Sequence, residues 1–249
     1  MKRGQRAIVT GAVAALVVLS GTADARADQF QITIENLSPN VLTPVPFIAH
    51  DSSFDLFDAG AAVSPEIELL AEDGVPDGVV RLATAGLGTS VSGFDVAFGP
   101  GGPLGPGESA VVTIKADAAH PWLSFASMLA FSNDAFIGFA AGDGALDLFP
   151  GGRPFRGSFT LKPSAVWDSG TEVNDELAKH VPALGSLLGA GIAENGTLSR
   201  PHPGIRGAGQ IPLSRNWVNA PVARITIVPE PASAALLSLA GALFLARRR

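Results

Sequence analysis

The 249-residue chain has no cysteine and no tyrosine, only two methionines and three tryptophans, and charged residues make up just 16% of it. The missing cysteine excludes disulfides as the means of holding loops, and it excludes thiolate metal sites and cysteine nucleophiles. Three tryptophans and no tyrosine leave few aromatic platforms for stacking sugars. Two apolar segments stand at the ends, Ala7 to Leu19 and Ala232 to Ala246. Neither reaches the roughly 20 residues that a membrane-spanning helix needs. Also absent are a Gly-x-Ser-x-Gly elbow, a phosphate-binding Gly-x-x-x-x-Gly-Lys loop and a His-Glu-x-x-His pair, so no catalytic signature is present and the chain is read as a non-enzyme.

The ends are organised for export. Lys2, Arg3 and Arg6 precede the first apolar run, and Ala25 and Ala27 follow it. This is the three-part layout of a signal peptide spanning 1–27, with cleavage after Ala27. At the other end, Pro229, Glu230 and Pro231 lead into the second apolar segment and then Arg247, Arg248 and Arg249. Fifteen helical residues cover about 22 Å against a hydrocarbon core of about 30 Å. Such a helix spans only if the bilayer thins or the arginines reach outward, and the terminal arginines would stay cytoplasmic. Residues 229–249 closely resemble the PEP-CTERM sorting signal of Gram-negative bacteria. The resemblance implies a transient membrane helix, processing near Pro229-Glu230-Pro231 by an exosortase-type protease, and delivery to the cell surface or a biofilm matrix rich in exopolysaccharide.

The body between, 28–228, is long enough for one domain with a sizeable core. It carries 21 acidic and 10 basic residues, a balance of −11. That excess disfavours nucleic acid, which needs a basic face, and favours metal cations. The chain's 29 glycines and 19 prolines punctuate short segments of alternating or β-branched character: 30–36, 109–116, 157–162 and 222–228. In the first, Phe30, Ile32 and Ile34 alternate with Gln31, Thr33 and Glu35, the pattern of a half-buried strand. The expected fold is all-β, an antiparallel sandwich with one or two short helices. Ser64 as N-cap, Pro65 at the first helical position and Gly74 as the stop mark one helix. A second, weaker one is expected at 175–179, and 182–219 reads as a long connection.

Acids concentrate in "VWDSGTEVNDE", which holds Asp168, Glu172, Asp175 and Glu176. Four like charges this close repel unless water screens them or a cation sits among them. Asp175 and Glu176 read as surface charge or the first turn of a helix, and Trp167 as core packing beside the loop. A second acidic stretch, 50–58, holds His50, Asp51, Asp55 and Asp58, but its spacing matches no zinc pattern. His120, His180 and His202 lie beside prolines or in polar surroundings and read as loop residues.

Taken in order, "FQITIENLSPN", "TPVPFIAHDSSFDLFDAG", "PEIELLAEDG", "FASMLAFSNDAFIGF", "VWDSGTEVNDE", "RPHPGI" and "PVARITI" resemble the bacterial branch of the spondin N-terminal domains. The resemblance covers about Phe30 to Ile227. It implies a β-sandwich similar to calcium-binding, membrane-targeting sandwiches, with a calcium site at one end formed by Asp134, Asp168 and Glu172. Calcium prefers six to eight oxygen ligands and tolerates irregular geometry. Gly170 would let the loop bend so that its acids and a peptide carbonyl converge. The chain departs from the family pattern at Glu172, which replaces a shorter acid, at Asn133, which replaces proline, and at Ala135, which replaces tryptophan, with Phe136 supplying aromatic bulk nearby. The expectation is a non-catalytic, calcium-binding surface protein that binds polysaccharide or protein in adhesion or matrix assembly. The alternative is a secreted polysaccharide hydrolase using paired carboxylates.

Overall fold

Alternation of apolar and polar side chains builds the first sheet. The computed structural model describes residues 28–85, 93–98, 102–140 and 144–230. Strand β1 (Asp28–Asn36) lies between β4 (Ser109–Ala116) and β10 (Ala223–Pro229), and β8 (Gly157–Leu161) completes a four-stranded antiparallel sheet in the order β4-β1-β10-β8. Ile32 pairs with Val112 on one side and Ile227 on the other, so the register stacks apolar residues on one face. Phe30, Ile32, Ile34, Ile114, Ile225 and Ile227 are all fully buried on that face. The opposite face meets water, where Arg224 Nη1 lies 2.7 Å from Glu35 Oε2 across the β1–β10 pair.

The second sheet is covered on both sides. Strands β2 (Pro46–His50), β3 (Gly93–Phe98), β5 (Trp122–Met128), β6 (Ala135–Phe139) and β9 (Val166–Asp168) run in the order β3-β2-β5-β6-β9, with β7 (Leu146–Asp147) paired to β5. Its inner face, through Phe47, Leu123 and Phe125, packs on the first sheet. Its outer face, through Ile48, Ala126, Phe136 and Trp167, packs under helix α1 (Pro65–Asp73) and helix α2 (Asp77–Ala85) by way of Ile67, Leu70, Val79 and Ala83. Burying both faces removes the alternation, and every residue of β2 is buried. The fold is a mostly antiparallel two-sheet sandwich with two short α-helices, as composition and pattern predict.

Helix α1 starts and stops where its sequence signals stand. Ser64 Oγ accepts from the Ile67 N–H at 3.3 Å, and Gly74 takes a left-handed conformation (φ 69°) that a side chain would not share. The helix expected at 175–179 is not α-helical: Glu176 has φ 59°, which breaks the helical path, and only a 3₁₀ turn, Ala178–His180, follows. Helix α2 was not anticipated by the sequence reading. The stretch from Pro182 to Asn219 is a long connection containing 3₁₀ turns at Pro182–Leu184 and Leu213–Arg215, with isolated bridges at Ala193 and Ser199.

Candidate metal centre

Asp134 enters β6 from the turn that follows β5. Ser132 Oγ accepts from the Ala135 N–H at 3.1 Å and donates to the Leu129 carbonyl at 2.6 Å, closing that turn and fixing Asp134 at the sheet end. The neighbouring strand β9 ends at Asp168, opposite Ala135. After Asp168 the chain bends through Gly170 at φ 70°. A Cβ there would stand 2.9 Å from the backbone N and O of Thr197, so only glycine fits.

The bend has a defined product. Asp134 Oδ2 accepts from Ser169 Oγ at 2.8 Å, Gly170 N at 3.0 Å, Thr171 N at 3.3 Å and Glu172 N at 3.4 Å. Backbone N–H groups fanned onto one oxygen form an anion-binding nest. Asp134 Oδ1, by contrast, is buried without a hydrogen-bond partner. A carboxylate whose one oxygen is saturated and whose other is bare and dry is costly unless something electropositive approaches it.

Two groups face that oxygen. Residues 199–202 fold back along β9, with Ser199 bridged to Asp168 and the His202 N–H donating to the Val166 carbonyl at 2.9 Å. This places His202 Nε2 at 3.6 Å from Asp134 Oδ1. One ligand atom each from Asp134, Asp168 and His202 lie within 4.8 Å of one another, and this buried group can hold a metal ion. Asn174 brackets it, donating from Nδ2 to Asp168 Oδ2 at 3.3 Å and accepting at Oδ1 from His202 Nε2 at 2.8 Å. The Gly204 N–H donates to His202 Nδ1 at 3.0 Å, so Nδ1 carries the lone pair and Nε2 the proton. Burial pushes the Asp168 carboxyl above its ordinary range, and the charge of Asp134 adds to it, while His202 and the Gly170 N–H act the other way. Asp168 is only half-buried.

The remaining acids of the stretch have separate work. The Glu172 carboxylate stands outside this group and accepts from Asn133 Nδ2 at 3.0 Å. Burial, offset by the Asn133 hydrogen bond and reinforced by the charges of Glu72, Asp134 and Asp175, raises its pKa to about 8. Asp175 pairs with His180 Nδ1 at 2.7 Å; burial alone would raise its pKa, but the Leu177 N–H, His180 and Asn133 outweigh it and the pKa is lowered. Glu176 is not surface charge: it is buried, and it accepts from the N–H groups of Arg206 and Ala208, clamping the loop that follows His202. Asn133 joins all three, donating to Glu172 and Asp175 and accepting from the Glu176 N–H at 3.0 Å. Trp167 is core, in edge contact with Phe57 and with the Arg200 guanidinium 4.2 Å over its ring.

Among the expected ligands, then, the structure brings Asp134 and Asp168 together and gives Glu172 a hydrogen-bonded partner elsewhere. The sequence reading missed His202, whose signal was the pair of prolines around it in "RPHPGI", a rigid turn that fixes where the ring points. His50, in the second acidic stretch, is fully buried and satisfied, bonded to the Asp51 carbonyl at 2.7 Å and to Ser124 Oγ at 2.8 Å. His120 pairs with Asp117 at 2.9 Å. Pro229 ends β10 and the Glu230 N–H donates to the Gln29 carbonyl at 2.7 Å. Pro231, the apolar segment after it and residues 1–27, read above as a signal peptide, lie outside the described residues. Among the described residues no helix is long and apolar enough to cross a membrane. Neither a protein-family model nor a curated protein matches the chain.

Proposed function

We propose that the protein is an exported, non-catalytic surface module of the spondin N-terminal kind whose sandwich end holds calcium. The observation that carries the reading is Asp134 Oδ1, a fully buried carboxylate oxygen without a partner, facing Asp168 and His202. Because the His202 lone pair is taken by the Gly204 N–H, the nitrogen that faces the acids is a proton donor, and the donor atoms left for an ion are oxygens. Asp134 Oδ1, the Asp168 carboxylate and the Asn174 carbonyl suit a hard cation that completes its shell with water. Zinc would require the imidazole to exchange its tautomer and lose the Gly204 bond.

The placement supports surface presentation. Asn40 links the site end to the start of β10: it accepts from the Phe131 N–H and donates to the Arg215 carbonyl, and Leu37 and Ser38 donate to the Val222 carbonyl. Strand β10 then runs the length of the sandwich, about 20 Å, to Pro229 opposite Phe30. A chain tethered by a PEP-CTERM tail at 229–249 would hold the ion-binding end away from the bilayer until an exosortase-type protease released it. Adhesion, or association with exopolysaccharide in a Gram-negative biofilm matrix, fits such a display.

The test is thermal melting of the purified protein with and without millimolar calcium. Calcium raises the melting temperature of the wild type, by mass action on the native state, and leaves Asp168→Asn unmoved. No calcium response in the wild type would overturn the reading. The paired-carboxylate hydrolase is not supported, since Asp134 is fully buried and its carboxylate converges with that of Asp168 instead of facing it across a cleft. Mass spectrometry of the exported chain tests the ends: a mature form still beginning at Met1 or ending at Arg249 would contradict the sorting reading.

A further inference from the structure

We infer that the loop 186–196 and the groove between it and helix α1 form a docking surface for a cationic, amphipathic polypeptide segment of another protein. Six large apolar side chains are exposed among the described residues, and four of them, Val173, Leu187, Leu188 and Ile192, belong to this one loop system, Leu187 at 82% and Leu188 at 67% exposure. The Val173 N–H donates to the Ile192 carbonyl at 2.9 Å, which ties the two stretches side by side. Apolar side chains gathered at this exposure mark an interaction site more often than chance scatter does.

The loop is held in place rather than loose. Asp73 accepts from the Gly189 N–H with both oxygens, at 3.1 and 3.0 Å, pinning the tip of the loop to the end of α1. A Cβ at Gly191 would stand 2.1 Å from Glu172 Cδ, so the loop packs directly on the buried Glu172 side chain. Between loop and helix runs a groove of about 330 Å³ lined by Pro65, Glu68, Leu69, Glu72, Asp73 and Gly189. Glu68 also lines a second depression of about 290 Å³, where Thr171 and Glu194 stand.

Charge names the occupant. Helix α1 carries Glu66, Glu68, Glu72 and Asp73 and no basic residue, and 182–199 carries Glu194 as its sole charge. Among the described residues no Lys or Arg forms a salt bridge with any of these acids. Burial raises the Glu72 pKa, a hydrogen bond with Thr171 opposes the rise, and the charges of Glu68, Asp134 and Asp73 add to it. Exposed aliphatic side chains on the loop, beside a groove whose carboxylates have no basic partner, match a segment that alternates aliphatic and Lys or Arg side chains. Anionic lipid is repelled by the same acids. Sugar finds no aromatic ring on the patch.

The test uses a fluorescently labelled synthetic peptide of Leu and Lys in amphipathic helical order, with the purified protein titrated in by anisotropy at physiological salt. Its counterpart with Glu in place of Lys, and phosphatidylglycerol-containing vesicles, serve as alternative probes. The Leu/Lys peptide binds the wild type, and affinity falls about tenfold both in Leu187→Ser/Leu188→Ser and in Glu68→Gln/Glu194→Gln. The changed side chains are exposed or half-buried, and an unchanged circular dichroism melt confirms that each variant is folded. Equal affinity in wild type and the leucine variant would reduce the attraction to net charge and overturn the proposal. So would binding of the vesicles or of the Glu peptide, or a concentration-dependent dimer that the leucine variant abolishes, which would make a second copy the occupant.

Discussion

The two sheets of the sandwich solve the same packing problem under different solvation. The four-stranded sheet buries one face and wets the other, so its strands alternate strictly, and β4 reads exposed–buried along its whole length. The six-stranded sheet is closed in by the first sheet beneath and by α1 and α2 above, and its strands β2, β5 and β6 are buried nearly throughout. A doubly covered strand cannot tolerate a polar side chain unless a partner is built for it, as Ser124 is for His50. Where its strands β6 and β9 meet their ends, Asp134 and Asp168 bring charge together short of water. The candidate metal centre therefore grows from the ends of the doubly covered sheet, not from the sheet with a wet face.

The largest effect that would break this comparison is expected at Trp167. Trp167→Ala empties the layer between the six-stranded sheet and Phe57, and should cost about 3–5 kcal/mol in denaturant unfolding, whereas Thr33→Ala, on the outward face of β1, should stay within about 0.5 kcal/mol. Equal losses would mean that the helical cover adds nothing. Next comes Gly170→Ala, which forces a side chain into the left-handed region and against the Thr197 backbone. It should cost about 2–3 kcal/mol and abolish any calcium-dependent rise in melting temperature, because the N–H fan on Asp134 would be disturbed. Retention of that rise would show that the nest does not position the acid.

A smaller effect follows from His50. Burial holds its pKa below the ordinary 6.5, against the opposing pull of the Asp51 carbonyl and charge. The neutral form is therefore favoured in the folded state, and the stability this confers is complete above the unfolded value of about 6.5 and is lost as pH falls below it. The raised pKa values of Glu172, Asp168 and Glu72 act the opposite way on acidification, so the His50 effect is read as a difference. The melting temperature of the wild type should fall relative to that of His50→Gln as pH drops from 6.5 to 5, followed by circular dichroism, and a constant difference would remove His50 as the cause. The smallest effect belongs to the wet face. Arg224→Gln removes the exposed pair with Glu35 and should change stability by about 0–1 kcal/mol, less in high salt.

Legibility in the sequence follows the same division. The four segments whose alternation was visible, at 30–36, 109–116, 157–162 and 222–228, are the four strands of the sheet with a wet face. The strands of the other sheet left no period-2 trace, since both faces are apolar, and helix α2 carries Gly78, a poor helix former, in its first turn. At the site, Asp134 was reached only through the resemblance of its stretch to the spondin motifs, and Asp168 through that resemblance and the clustering of acids around it. His202 was not, because its relevance depends on a chain reversal at 199–202 that brings it alongside β9. Nor was the division of labour among the acids after Gly170, which rests on Asn133, a residue 35 or more positions upstream.

Composition and pattern alone fixed the sandwich class, the absence of disulfides, the capped helix α1 and the glycine at the bend, because these depend on local chemistry: side-chain alternation, capping groups and the backbone freedom of one residue. Which carboxylate stays bare, which is satisfied by an amide and which clamps a distant loop were decided by tertiary structure. Burial and hydrogen bonding are properties of residues brought together from far along the chain, and the cost of an unpartnered charge is set only once the fold has excluded water from around it.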